Sequence, residues 1–289
     1  MKASILTMFL VGAVQTLVSP KIFTMLVARI RTTGDRGCTG LTDEPTSYAL
    51  ACCFLIILVT LLEKKKNQIF IYSFLLSFQI ILFAKSFLGL MILGVMALLY
   101  LSVIRKNRII PILLVALAIS ISSINTKFNG SPYRIVNLTV SLLQNPRLLI
   151  SADPSGIDRY AHLVLPAYGF MDKYGLPGGF EGWREYSLWK TAQDPMFSDR
   201  MEYITTTRIM NFYGSIMYQL GFVGLLIPLT LSYMIFKIYY KETRTMIFYL
   251  LLINLIFINT IPLTSTYAGL LIGVLMYKYS NSHISTSTG

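Results

Sequence analysis

Apolar runs of membrane length recur along this chain, and one long polar stretch interrupts them. The runs fall near residues 3–19, 46–62, 69–85, 87–104, 109–124, 214–238, 245–260 and 264–279. A helix needs about 20 mostly apolar residues to cross hydrocarbon, within a range of about 17–25. The pattern therefore predicts an all-α, polytopic membrane helix bundle of about eight transmembrane helices. Asn259, Thr260 and Pro262 predict a tight turn between the last two. Between the fifth and sixth runs lie residues 125–212, a stretch of 88 that is too polar to cross a bilayer. It carries nine Lys/Arg, eight Asp/Glu and thirteen aromatic residues, among them both tryptophans (Trp183, Trp189), together with one of the two histidines, His162. A connection this long is usually functional rather than passive. Three parts follow: N-terminal transmembrane helices with a short outward segment at 20–45 (residues 1–124), the large loop (125–212), and C-terminal transmembrane helices with a cytoplasmic tail (213–289).

Composition supports the membrane reading. Hydrophobic residues make up 54% of the chain and charged residues 13%, against about 25% charged in a soluble domain. Mean hydropathy is +0.62. The net charge of +12 does not point to nucleic acid, because the basic residues sit at the ends of apolar runs. Cys38, Cys52 and Cys53 form no disulfide framework. Lys2 and the apolar run to Val18 look like the start of a signal peptide, but no small-x-small cleavage site follows, so an uncleaved first helix is expected. Three basic clusters, Lys64–Lys66, Arg105/Lys106/Arg108 and Lys237/Lys241/Arg244, fall on one side of the predicted spans. Short Lys/Arg-rich loops are cytoplasmic, which places the large loop and the 20–45 segment outside. The stretch Lys21–Arg31 has apolar residues at Ile22, Phe23, Leu26, Val27 and Ile30. It reads either as an interfacial helix or as a continuation of the first span.

Chemistry-bearing residues concentrate on that outer side. Arg36-Gly-Cys-Thr-Gly-Leu-Thr-Asp-Glu-Pro45 leads straight into the second span. Pro45 suits a first helical position, which makes Glu44 a cap residue; the other reading of Glu44 is an acid or base at the membrane surface. Asp158 and Arg159 lie four and three residues before His162, so helical spacing puts all three near one another. A histidine oriented by a carboxylate serves as a base near neutral pH, and a histidine packed within its own loop is the alternative. Trp183 and Trp189 read as rings that stack on sugars or as anchors at the membrane interface. No His/Cys/Asp cluster with metal-ligand spacing is present, and no Gly-rich nucleotide loop, so neither a metal nor any other cofactor is expected.

Several of these segments resemble, in order, those of bacterial O-antigen polymerases and related capsule polymerases. Arg36-Gly-x-x-Gly-Leu-x-x-Glu-Pro-Thr46 followed by a span is one. Ala84-Lys-Ser-Phe-Leu-Gly-Leu90 looks like that family's Ser/Gly turn between spans. Ser155-Gly-Ile-Asp-Arg-Tyr-Ala-His162 and Tyr174-Gly-Leu-Pro-Gly-Gly179 are similar to its arginine-bearing periplasmic loop, and Tyr218-Gln-Leu-Gly-Phe-Val-Gly224 to the start of the span after it. The resemblance implies a multi-pass glycosyltransferase of the bacterial inner (plasma) membrane. Such an enzyme moves a glycan from undecaprenyl pyrophosphate onto a lipid-linked repeat unit at the periplasmic face, without a metal or nucleotide sugar. It implies as partners undecaprenyl-pyrophosphate-linked oligosaccharides, membrane lipids and a chain-length regulator protein. Arginines would hold the pyrophosphate through charge-assisted contacts: Arg29, Arg36, Arg134 and Arg159 are the candidates among the site residues, with Arg31 also on the outer side. Trp183 would contact the glycan, and Glu44 or His162 would move the proton. Members of that family usually have more spans, so the resemblance also implies a chain that begins at an internal methionine.

Two other functions are weighed against this one. O-antigen ligases share the architecture and donor, with a signature of His, a polar residue, nine residues and Gly-x-x-Gly. Here the frame reads Met210-Asn211, nine residues, then Gly221-x-x-Gly224. A thioether cannot take a proton from a hydroxyl, which favours polymerase over ligase. A flippase for lipid-linked sugars would show internal repeats and polar groups at the bilayer midplane. The spans here hold few polar residues, among them Gln15, Gln79 and Asn254.

Overall fold

The computed structural model describes residues 1–27, 37–105, 154–258 and 262–287. They are helical or loop, with no strand among the described residues. Among the described residues three helices are long and apolar enough to cross a membrane, or four if one sharply bent pair counts as a span. The chain divides into two compact units, Met1–Val140 and Ser141–Gly289.

In the first unit α1 spans Lys2–Leu17, α2 Pro45–Leu62, α3 Lys66–Ala84 and α4 Phe87–Ile104. Pro45 opens α2, where its missing N–H costs nothing. The helix ends at Leu62, before Glu63 and three lysines. It is apolar all round, so it belongs at the centre of a bundle, and its Tyr48–Val59 stretch is buried throughout. Helices α3 and α4 pack against it and leave apolar faces uncovered, with Phe70, Ile71, Phe74, Ile81 and Leu82 of α3 exposed. Such a face suits lipid contact. Helix α1 stops at Leu17 and is followed by Pro20 and a short turn at Thr24–Leu26, so the first helix does not run on through this stretch.

Three neutral polar side chains tie this unit together. Tyr48 donates its hydroxyl proton to Gln79 Oε1 at 2.8 Å. Gln15 receives the Gly40 N–H at 2.8 Å and donates to the carbonyls of Ile22 and Gly40. Pairing matters here because an unpartnered amide in an apolar interior costs about 1–3 kcal/mol.

In the second unit α5 spans Pro154–Asp172, α6 Trp183–Gln193, α7 Phe212–Gly224, α8 Leu226–Tyr239, α9 Thr243–Ile258 and α10 Thr266–Ser287. Ile157, Ala161 and Leu165 form one face of α5 and pack with Trp183, Phe197, Ile204, Ile209 and Tyr218. Tyr218, beyond the polar stretch, thus shares a core with Trp183 within it.

The continuous run expected at 214–238 is broken. Helices α7 and α8 meet at 89°. Gly221 sits at φ 59°, ψ −144°, a conformation essentially confined to glycine. Pro228 falls in the first turn of α8, where the helix has no bond for it to break. The runs at 46–62, 69–85 and 87–104 match α2, α3 and α4. Those at 3–19 and 245–260 correspond to shorter apolar helices, Lys2–Leu17 and Thr243–Ile258. The run at 109–124 lies outside the described residues.

Candidate functional site

Two clusters hold those of the residues singled out above that the structure describes, one in each unit. In the first unit, the segment after Gly37 is folded inward against the end of α3. The Cys38 N–H donates to the Phe83 carbonyl at 2.9 Å. A Cβ on Gly37 would lie 2.1 Å from the Ala84 carbonyl oxygen, so only glycine allows this approach. The α3 end is a π-type turn closed by Lys85 in the left-handed region (φ 46°). Ser86 then caps α4, accepting the Gly89 N–H at 3.3 Å, and its hydroxyl lies 3.4 Å from that of Thr46. The two family-like segments, Gly37–Thr46 and Ala84–Leu90, are therefore neighbours although some forty residues apart in sequence.

Glu44 is the N-cap residue of α2 with an extended backbone, yet its side chain does not cap the helix. Its carbonyl accepts from the Thr42 hydroxyl and the Tyr48 N–H. The carboxylate is half-buried at the mouth of the helix. Arg29 and Arg36, expected nearby, lie outside the described residues, as does Arg134.

In the second unit, α5 brings Asp158, Arg159 and His162 together. His162 is 1% exposed. Its Nε2 lies 3.2 Å from Asp158 Oδ1, off the line that a good hydrogen bond needs, so neither ring nitrogen has a well-aligned partner. Asp158 is anchored elsewhere, taking the Thr205 N–H at 2.7 Å and its hydroxyl at 3.3 Å. Burial pushes the Asp158 carboxyl up, but His162 and Thr205 outweigh it and hold the group below the usual carboxylate range. Arg159 is half-buried on the same helix. Pro166 has no N–H to give the His162 carbonyl, and Gly214 of α7 packs there, where a Cβ would stand 2.7 Å from that oxygen.

Trp183 is enclosed. It is 1% exposed, meets Tyr218 edge-on at 5.2 Å and faces His162 at 6.1 Å. The exposed tryptophan is Trp189, at 51%. Beside it Asp172 accepts from Lys190 at 2.9 Å and from the Tyr186 hydroxyl at 2.7 Å. Those bonds hold Asp172 below the usual carboxylate range, while burial and Asp172 push the Tyr186 phenol up.

Met210 receives the Arg208 Nε–H on its sulfur at 3.2 Å, and Asn211 caps α7 by accepting the Gly214 N–H at 2.8 Å. Gly221 and Gly224 lie at the other end of α7, at the bend. The His-to-Gly frame of the ligase comparison thus runs from the cap of α7 to its break at Gly221. Thr205, the main partner of Asp158, carried no signal in the sequence. No group of His, Cys, Asp and Glu suited to a metal occurs among the described residues. Compared with protein-family models, curated proteins and solved structures, the chain matches none.

Proposed function

We propose that this chain is a polysaccharide polymerase of the O-antigen type. It would be an inner-membrane protein of about eight spans whose large loop faces the periplasm. It transfers a glycan from undecaprenyl pyrophosphate to a lipid-linked repeat unit, with a chain-length regulator as a protein partner. The observation that supports the reading most is the packing of Gly37–Thr46 against Ala84–Leu90. These are two of the segments on which the family resemblance rests, they are distant in sequence, and they fold together next to Glu44.

In this reading Arg36 and Arg159 hold the donor pyrophosphate, and Arg29 and Arg134 add positive charge. An acceptor hydroxyl oxygen attacks the anomeric carbon. The bond from that carbon to the pyrophosphate oxygen breaks, and undecaprenyl pyrophosphate leaves with the electron pair. Fixed cations stabilise the leaving charge. The hydroxyl proton passes to Glu44, which is half-buried at a helix mouth. His162 is enclosed and faces Trp183, so its role is to position α5, and Trp183 supports the fold beneath the glycan.

Expression in a polymerase-null strain tests this. A ladder of long lipopolysaccharide chains is the expected result. Restoration of a ligase-null strain instead would make the protein a ligase. Restoration of a strain that lacks only the flippase would make it a transporter.

A further inference from the structure

The chain uncovers an apolar and aromatic face on its second unit that the proposed chemistry does not use. Tyr174 is 88% exposed, and Met171, Leu176 and Phe180 are exposed with it. The face continues onto Trp189. Lys190 links the two parts, lying 5.2 Å from the centre of the Tyr168 ring and 5.5 Å from that of Trp189 while bonded to Asp172.

The bend fixes what this face meets. Helix α8 has 14 residues, a rise of about 21 Å, and carries an exposed apolar stripe at Leu226, Leu229, Tyr233 and Phe236. Spacings of three and four place these on one side of the helix, which suits contact with hydrocarbon. Helix α8 is too short to cross the bilayer alone, and α7 meets it at 89°, so with α8 dipping into the hydrocarbon from the bend, α7 runs along the membrane surface. The 174–179 loop is bonded to that bend: the Phe222 N–H donates to the Gly175 carbonyl at 2.9 Å and the Gly178 N–H to the Tyr218 carbonyl at 2.7 Å. Loop and bend therefore share one depth. Phe222 and Val223 are exposed as well, so the apolar surface is continuous from the exposed stripe of α8 to Tyr174. Tryptophan, tyrosine and lysine beside an apolar stripe are the side chains that settle at a headgroup boundary.

We infer that this face is a lipid-docking surface. Met171, Tyr174, Leu176 and Trp189 sit in the headgroup layer. The loop is thereby held flat on the membrane. This follows from the bend and the exposed stripe, and stands apart from the polymerase reading.

The chain's two tryptophans supply the probe. The full protein is placed in vesicles of phosphatidylcholine and phosphatidylglycerol with bromine on the upper acyl chain. Brominated lipid is expected to quench a large emission component that iodide scarcely touches, and that component is expected to be missing from Trp189→Phe. A nitroxide on Leu176→Cys should be relaxed more by oxygen than by a water-soluble nickel chelate, the three native cysteines being buried. Quenching of Trp189 by iodide and not by brominated lipid overturns the proposal. So does a Trp189 that neither reagent reaches, since protein then covers the face. Neither result depends on whether the protein makes polymer.

Discussion

Substituting Gly221 by alanine tests the bend directly. Gly221 lies at φ 59°, ψ −144°, and a Cβ there would stand 2.3 Å from the Gly175 carbonyl oxygen and 2.9 Å from the Leu176 carbonyl carbon and the Pro177 nitrogen. Two penalties add. A backbone conformation that L-residues avoid costs about 1–3 kcal/mol. A methyl group forced into packed backbone costs about 1–3 kcal/mol more. Gly221→Ala should therefore destabilise the second unit by about 2–6 kcal/mol. Two controls separate the parts. Gly179 has φ 73° but nothing within 4 Å of its Cβ position, so Gly179→Ala should cost only the strain, about 1–2 kcal/mol. Gly94 within α4 has open space and ordinary backbone, so Gly94→Ala should be neutral or stabilise by up to about 1 kcal/mol. The assay is thermal unfolding of the purified protein in detergent, followed by tryptophan emission. Trp183 reports on the same core as Tyr218. A Gly221→Ala protein as stable as Gly179→Ala would refute the reasoning, because the loop and the bend would then not be in contact.

Gly37→Ala should dislodge the inward-folded segment from the end of α3, since a Cβ would meet two carbonyl oxygens at 2.1 and 2.3 Å; maleimide labelling of Cys38, buried in the wild type, should rise sharply. Trp183→Ala removes a ring from the centre of the second unit's core and should cost about 3–5 kcal/mol, read by the same melting assay. The Asp158 carboxyl has a depressed pKa in the folded protein. Its contribution to stability is therefore present above the unfolded value of about 3.9 and is lost as pH falls through the folded value. Melting curves of the wild type should show this loss on acidification below about pH 4, and those of Asp158→Asn should lack that component while being less stable at neutral pH.

The helical class and three helices of membrane length were legible because an apolar run of that length has few alternatives. Glu44 at the head of α2 followed from Pro45 alone. The 89° bend was harder. The run 214–238 is apolar enough to read as one helix, and only the docking of Gly175 and Gly178 onto Phe222 and Tyr218 makes the turn. Trp183 and Trp189 are six residues apart in one polar stretch, and no local pattern distinguished the enclosed ring from the exposed one. The Asp158–His162 pair was expected from helical spacing, and its partner Thr205, 47 residues on, was out of reach of any local pattern. Arg29, Arg36 and Arg134 lie outside the described residues, so the pyrophosphate-binding role rests on the sequence for them.

Reconstitution tests the functional claim most directly. The purified protein is placed in liposomes with undecaprenyl-pyrophosphate-linked repeat units, chelator and no nucleotide sugar, and product length is read on a gel. The account expects a ladder of longer lipid-linked glycans, absent from folded Arg36→Ala and Arg159→Ala proteins at equal amounts. Ladders of undiminished length from both variants, or no elongation by folded wild-type protein, would contradict it.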